Sequence, residues 1–456
     1  MANRRGALAF LAATPFLTGT GESPRWRSIG DLGSDVYGTW ENRATGLVVD
    51  ISSRGINICH CLDEFWIQDP GLVPSFSLYA MQGETLQLMQ YDYRAAPILM
   101  QAPVTLTRTQ AAPPAILLAQ ADTLPSRTVF NLIWRSFDRY YPFFTERRVD
   151  WSSVRRAAET TVQDDVSLFD ALAGMLRPLG DGHVNLSRGE RTFNAGRSVL
   201  RDRLTQEWRA GGSLGIEGAF VSNWAQSIKV SAISVLDPGT YRSGANDALE
   251  WGCIGKVGYL RINRFSGFAA GTAPRHEQIA ALGQALLESE KSFTNTTHLI
   301  VDVVQNGGGN DAAALFIANH FADRHRKAVT YQCKGVSDQA VYLDPIRPYP
   351  RLITLLTSEI TASAAEIFVL MMRACSHVRH AGEATRGILS SMLPKPFPNG
   401  FMATMAYQRV FGAEGKLFEA IGIPPTFDVQ LFPHGDLVKA YPLSIRRLAD
   451  AANSVS

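Results

Sequence analysis

A chain of 456 residues is long enough for roughly two to four domains. Hydrophobic residues make up 46% and charged residues 19%, with 38 Gly and 23 Pro, which excludes bulk disorder and a collagen-like chain. Lys+Arg 44 against Asp+Glu 42 leaves a formal charge of +2, and no long basic run is interleaved with aromatics, so a nucleic-acid partner has no electrostatic footprint.

Arg4 and Arg5 precede an apolar stretch from Ala7 to Leu17 and the small residues Thr18 to Gly21. That order of charged, hydrophobic and cleavable regions reads as an export leader over residues 1–21, with an uncleaved anchor as the alternative. The stretch is short for a bilayer span, and membrane association is expected through this segment alone. The chain is therefore expected in the periplasm or outside the cell. Residues 34–109 then carry β-branched and aromatic runs between Gly, Pro and Asp breaks: Gly46 to Ile51, Ser75 to Tyr79, Thr85 to Tyr93 and Val104 to Thr109. They predict a small antiparallel β domain, a short barrel or sandwich. Cys59 and Cys61 flank His60 in a strand-like run, so a metal there needs ligands from elsewhere. Half-buried thiols or one disulfide are the plainer readings, and neither metal nor cofactor is expected.

The Ala-, Pro- and Gln-rich stretch 110–125 reads as a linker. Over 126–187, Phe130, Ile133, Trp134 and Phe137, then Leu168, Leu172 and Leu176, recur at helical spacing and predict at least two amphipathic helices. These end at Gly180-Asp181-Gly182-His183. The connecting region 188–254 suggests one helix near Arg203 to Arg209 and short strands after Gly215. From 255 to 435, apolar strands Val257 to Ile262, His298 to Val304 and Leu352 to Leu356 alternate with helices Glu277 to Glu290, Ala312 to His320 and Ala362 to Arg373. That alternation predicts a layered α/β domain, followed by a C-terminal tail or helix over 436–456.

Three places could carry chemistry. Ser363, in Thr361-Ala362-Ser363-Ala364-Ala365-Glu366, falls at a strand-to-helix junction, where free N–H groups and the helix dipole stabilise an oxyanion. The bland alternative is that Thr361 or Ser363 only caps the helix. Asn306-Gly307-Gly308-Gly309 follows an apolar strand and offers N–H groups for an oxyanion hole or a phosphate, or is simply a tight turn. It lacks the Gly-Lys-Ser/Thr ending of a phosphate loop. His183 sits in a loop where it could act as a general base or merely face solvent. Gly211-Gly212-Ser213-Leu214-Gly215 fits the nucleophile-elbow pattern, but the polar, helical residues before it are not the strand an elbow needs.

Taken in order, Val257 to Phe265, Asp302 to Gly309, Thr361 to Glu366, Gly382 to Gly387, Leu393 to Gly400 and Glu419 to Pro425 resemble the tail-specific, or C-terminal processing, serine peptidase family. In its Ser/Lys members a lysine follows a T-x-G turn, whereas Thr385-Arg386-Gly387 is followed here by Ile388. The chain is instead similar to the branch typified by the tricorn protease core and the interphotoreceptor retinoid-binding protein repeats, with a histidine in a loop matching Leu179 to His183. The resemblance implies a crotonase-like (ClpP/crotonase) catalytic domain with a helical subdomain. It implies Ser363 as nucleophile, His183 as base, Glu419 orienting the base through a polar relay, and Gly308 and Ala364 N–H groups as the oxyanion hole. The substrate implied is a peptide or protein. A silent binding protein using the same cleft is the alternative. No PDZ module is recognisable between His183 and Val257.

Overall fold

Val257–Ile262 and His298–Asp302 carry apolar residues on both faces, and such runs are stable as strands only between two covering layers. A computed structural model describes residues 27–454 apart from 63, 70–75, 91–103, 111–115, 212–215, 272 and 434. The expected leader lies outside the described residues.

The two strands stand at the centre of a seven-stranded sheet that follows chain order: Arg242–Gly244, Leu249–Ile254, Val257–Ile262, His298–Asp302, Leu352–Thr357, Val378–Gly382 and Phe427–Asp428. Its first two junctions are antiparallel and the rest parallel. Because side chains alternate along a strand, Leu299 and Val301 face one layer and Ile300 the other. The first layer is helices Arg275–Ser292, Asp311–Phe321 and Ala364–Arg373. The second is Val199–Ala210, Glu217–Ile233 and Ala440–Ser454, sealed by Trp224, Ile228, Tyr441 and Ile445. The result is a mixed α/β fold.

Residues 188–254 are thus more than a connection. Leu249–Ile254 belongs to the central sheet, and the strands expected after Gly215 are helix Glu217–Ile233. Trp224, Ile228 and Ala232, four apart, bury one face of that helix, and this packing overrides the strand preference of its Val and Ile residues.

Before the sheet come helices Ser126–Tyr140, Trp151–Glu159 and Asp165–Leu176. The second starts at Asp150, which accepts the Ser153 N–H at 3.0 Å, and the third at Asp164, which accepts the Ser167 N–H at 2.8 Å. They share a core with strands Met392–Phe397 and Phe401–Ala406, which complete a four-stranded antiparallel sheet with Asn185–Arg188 and Arg191–Asn194.

The N-terminal unit is not a closed barrel. It is one nine-stranded ladder whose ends, Arg27–Ser28 and Ile116–Leu118, do not pair with each other. Ile116–Leu118 runs parallel to Phe65–Gln68, so part of the expected linker is a strand, and the sheet is not purely antiparallel. Trp40, Val49, Ile58 and Leu86 fill its core. None of the five cysteines is in a disulfide, so the disulfide alternative falls; Cys59 packs with Val48 and Trp66.

Candidate active site

Strand Leu352–Thr357 runs out of the sheet into a turn held from below. Ser358 Oγ donates to the Val304 carbonyl at 2.7 Å, and Thr361 Oγ1 donates to the Val303 carbonyl at 2.8 Å. Thr361 therefore braces the turn, and Ser363 takes the position before helix Ala364–Arg373. Its backbone, φ 57 and ψ −126, lies where L residues rarely go, a strain of about 1–3 kcal/mol that the surroundings must hold. Glu366 holds it. This fully buried carboxylate accepts the Ser363 N–H at 3.1 Å, the Ile388 N–H at 2.9 Å, the Gly387 N–H at 2.7 Å and the Thr385 hydroxyl at 2.5 Å. Burial pushes its pKa up to about 7 against those four donors.

Ser363 is half-buried between buried Ala362 and Ala364. The Ala364 N–H, first in the helix, has no acceptor among the described residues, as expected of an orphan N-terminal donor. Gly308 presses against the same spot. At φ 108, a Cβ on it would lie 2.8 Å from Ser363 Cβ and 3.0 Å from Ala364 N, so only glycine fits. Its N–H, however, donates to Asn306 Oδ1 at 2.9 Å, so of the two expected oxyanion donors one is open and one is engaged. Asn306 is itself fixed by its amide on the Ile262 carbonyl at 3.0 Å.

His183 approaches from the helical layer. Its N–H donates to Asp181 Oδ1 at 2.8 Å and its carbonyl accepts the Thr404 hydroxyl at 2.7 Å, where Asn185–Arg188 pairs with Phe401–Ala406. A Cβ on neighbouring Gly182 would sit 3.0 Å from Ile388 Cδ1. Ile388 and Ser363 share one Glu366 oxygen, so the histidine loop and the serine turn meet around that residue. Among the described residues no hydrogen bond joins Ser363 Oγ to the imidazole, and the buried Nδ1 has no partner. Unliganded sites often leave such bonds open. Burial lowers the His183 pKa, Arg147 adds to this and Asp181 opposes it, which keeps the ring neutral near pH 7.

Glu419 reaches His183 only indirectly. One oxygen accepts the Leu389 N–H at 2.8 Å, and the other meets Arg147 Nη2 at 2.7 Å. Arg147 also lies 3.5 Å from Asp181 Oδ2 and donates to the Gly180 carbonyl at 3.1 Å. The relay thus ends on the backbone of the histidine loop. Burial, then Asp181, raises the Glu419 pKa, with Arg147 opposing. Arg147, Asp181, Glu366 and Asn306 were not singled out from the sequence; Asp181, Glu366 and Asn306 stood inside quoted motifs, whereas nothing marked Arg147.

Ser213 lies outside the described residues, but helix Val199–Ala210 comes just before and helix Glu217–Ile233 just after, which is not a strand-to-helix elbow. Among the described residues no cluster of three or more His, Cys, Asp or Glu is placed to hold a metal ion.

Residues 256–429, which include Ser363, Gly308 and Glu419, match the sequence profile of peptidase family S41. Over this stretch the chain is similar to peptidase family S41. It is 26% identical over 147 residues to carboxy-terminal processing protease CtpA of Bacillus subtilis, covering 31% of this chain and 32% of that protein. It is 27% identical over 187 residues to the chloroplastic C-terminal processing peptidase of Tetradesmus obliquus, covering 39% and 36%. The chain thus spans about a third of the length of these curated relatives. A solved structure described as a candidate peptidase of Parabacteroides merdae shares the fold, with a TM-score of 0.56 and 23% identity over 72% of this chain and 97% of that one. His183 and its helical layer lie before the S41 match, so the histidine loop is contributed by sequence outside the profile.

Proposed function

We propose that the protein is an exported serine endopeptidase whose S41 domain has crotonase-like layering. Ser363 Oγ attacks the scissile carbonyl while the His183 imidazole takes its proton. The Ala364 N–H receives the oxyanion, joined by the Gly308 N–H once it leaves Asn306. Collapse returns the proton from His183 to the departing amine, and water repeats the cycle on the acyl-enzyme. Each oxyanion donor contributes on the order of 3–4 kcal/mol to the transition state. Glu419, through Arg147 and Asp181, keeps the histidine loop in register. The observation that carries this reading is Ser363 itself, held in a strained backbone beside an open N–H.

The curated relatives are named for processing carboxy termini. Between residues 185 and 256 this chain has, among the described residues, one short hairpin, two helices and strands that enter the central sheet. A C-terminus reader is not among these elements, so internal peptide bonds are the expected targets. The test is labelling with a fluorophosphonate probe. Modification is expected to vanish in Ser363→Ala, persist in Ser213→Ala and slow by about 10²–10⁴-fold in His183→Ala. A folded wild type that resists the probe defeats the hydrolytic reading and favours ligand binding.

A further inference from the structure

Asp311 opens the helix that follows Gly308-Gly309-Asn310, yet it is not the helix cap. Asn310 Oδ1 takes that role, accepting the Ala312 N–H at 2.8 Å and the Ala313 N–H at 3.4 Å. The Asp311 carboxylate turns instead to hydroxyls: Tyr331 donates at 3.1 Å, and Ser391 also bonds it.

Two chain connections locate this group. Asp311 is three residues from Gly308, which abuts Ser363, so it lies within about 10 Å of Gly308. Ser391 is three residues from Ile388, which shares a Glu366 oxygen with Ser363. Asp311, Tyr331, Ser391 and Tyr407 are all half-buried, so each keeps part of its surface on solvent.

Among the described residues no cation faces it, and its positive surroundings are limited to the N-terminal end of the helix it opens. Every fully buried carboxylate in the described residues meets a cation or a backbone N–H. Asp181 and Glu419 share Arg147, Glu250 pairs with Lys229 at 3.0 Å, Asp302 accepts the Val304 N–H at 2.9 Å, and Glu366 takes three N–H groups. Asp311 has two neutral hydroxyls and, among the described residues, no cation, and desolvation pushes its pKa up to about 6. A carboxylate withdrawn from water is stable when a positive group reaches it.

We propose that Asp311 is the charged floor of a side-chain subsite beside Ser363, and that it selects peptides with lysine or arginine next to the scissile bond. This rests on the hydrolytic reading above. Tyr331 and Ser391 orient the carboxylate, and the incoming ammonium or guanidinium supplies the missing cation.

The test compares kcat/KM on matched peptides carrying lysine, norleucine or glutamate at each residue flanking the scissile bond. Norleucine keeps the length of lysine without its charge. Wild type is expected to prefer lysine over norleucine by about tenfold or more, the scale of a charge-assisted bond. Asp311→Asn is expected to lose that preference while cleaving the norleucine peptide within about twofold of wild type, and Asp311→Glu to retain it. Wild type that labels with the fluorophosphonate but treats lysine and norleucine alike overturns the subsite and leaves the peptidase intact. An unchanged preference in Asp311→Asn does the same. Absence of both labelling and cleavage fells the peptidase and the subsite together. If Asp311→Asn lacks a cooperative melt, the wild-type comparison decides alone.

Discussion

Replacing Arg147 by methionine tests whether the buried relay serves the base or only the fold. The Arg147 side chain is 7% exposed, its Glu419 partner 1% and Asp181 0%, so the substitution leaves two carboxylates in a site sealed from solvent. Removing one member of a buried ion pair costs about 3–5 kcal/mol. Glu419, whose pKa burial already raises, can relieve part of this by taking a proton, which puts the expected cost near the lower end, about 3 kcal/mol. If that energy is what keeps the histidine loop against Ile388, kcat/KM falls by about 100-fold. A second signature separates positioning from mere stability. Arg147 lowers the His183 pKa, so its loss raises that value. A base works only when neutral, and the acid limb of kcat/KM should therefore move to higher pH in Arg147→Met. In wild type the limb should fall below the ordinary imidazole value of about 6.5. The measurement is kcat/KM from about pH 4.5 to 9, with thermal melts run alongside. An Arg147→Met enzyme with kcat/KM within about threefold of wild type and an unmoved acid limb would refute the relay.

Gly308→Ala would bring a methyl to 2.8 Å from both Ser363 Cβ and the Ala362 carbonyl at a φ of 108, so labelling is expected to drop by about 10²-fold or more; undiminished labelling removes Gly308 from the oxyanion hole. In Glu366→Gln one carbonyl must replace two carboxylate oxygens that serve four donors, and a destabilisation of about 2–4 kcal/mol is expected by urea unfolding. A change below about 1 kcal/mol contradicts its assigned role in holding Ser363.

The parts of the molecule legible in the sequence are those where one local pattern decides the outcome. Val257 to Ile262 is all buried, Arg261 included, because Val257, Tyr259, Leu260 and Ile262 fill both of its faces, and a run like that has few alternatives to a central strand. Ser363 and Gly308 could be proposed because small residues and glycines at element ends allow tight turns and close backbone approach there, although the sign of the Ser363 φ left no trace in a residue other than glycine. Helix Glu217–Ile233 was hidden because its Val and Ile residues favour strands locally and only the sheet beneath them makes the helix. Arg147 was hidden for a different reason. An arginine reads as surface until the fold buries it, and its partners Asp181 and Glu419 both lie further along the chain, Glu419 by 272 residues. Asp311 was likewise invisible as anything but a helix-initiating carboxylate, since Tyr331 and Ser391 meet it only in three dimensions.

The residues flanking Ser363 and His183 belong to different hydrophobic cores, one built on the seven-stranded sheet and one on the helical layer, and the two are tied where Arg147 reaches Glu419. Catalysis would then behave as a proofreader of assembly. A slight parting of the seam disarms the hydroxyl while both halves keep their shape, so a nascent or damaged copy stays harmless to its neighbours until the two cores have closed on each other.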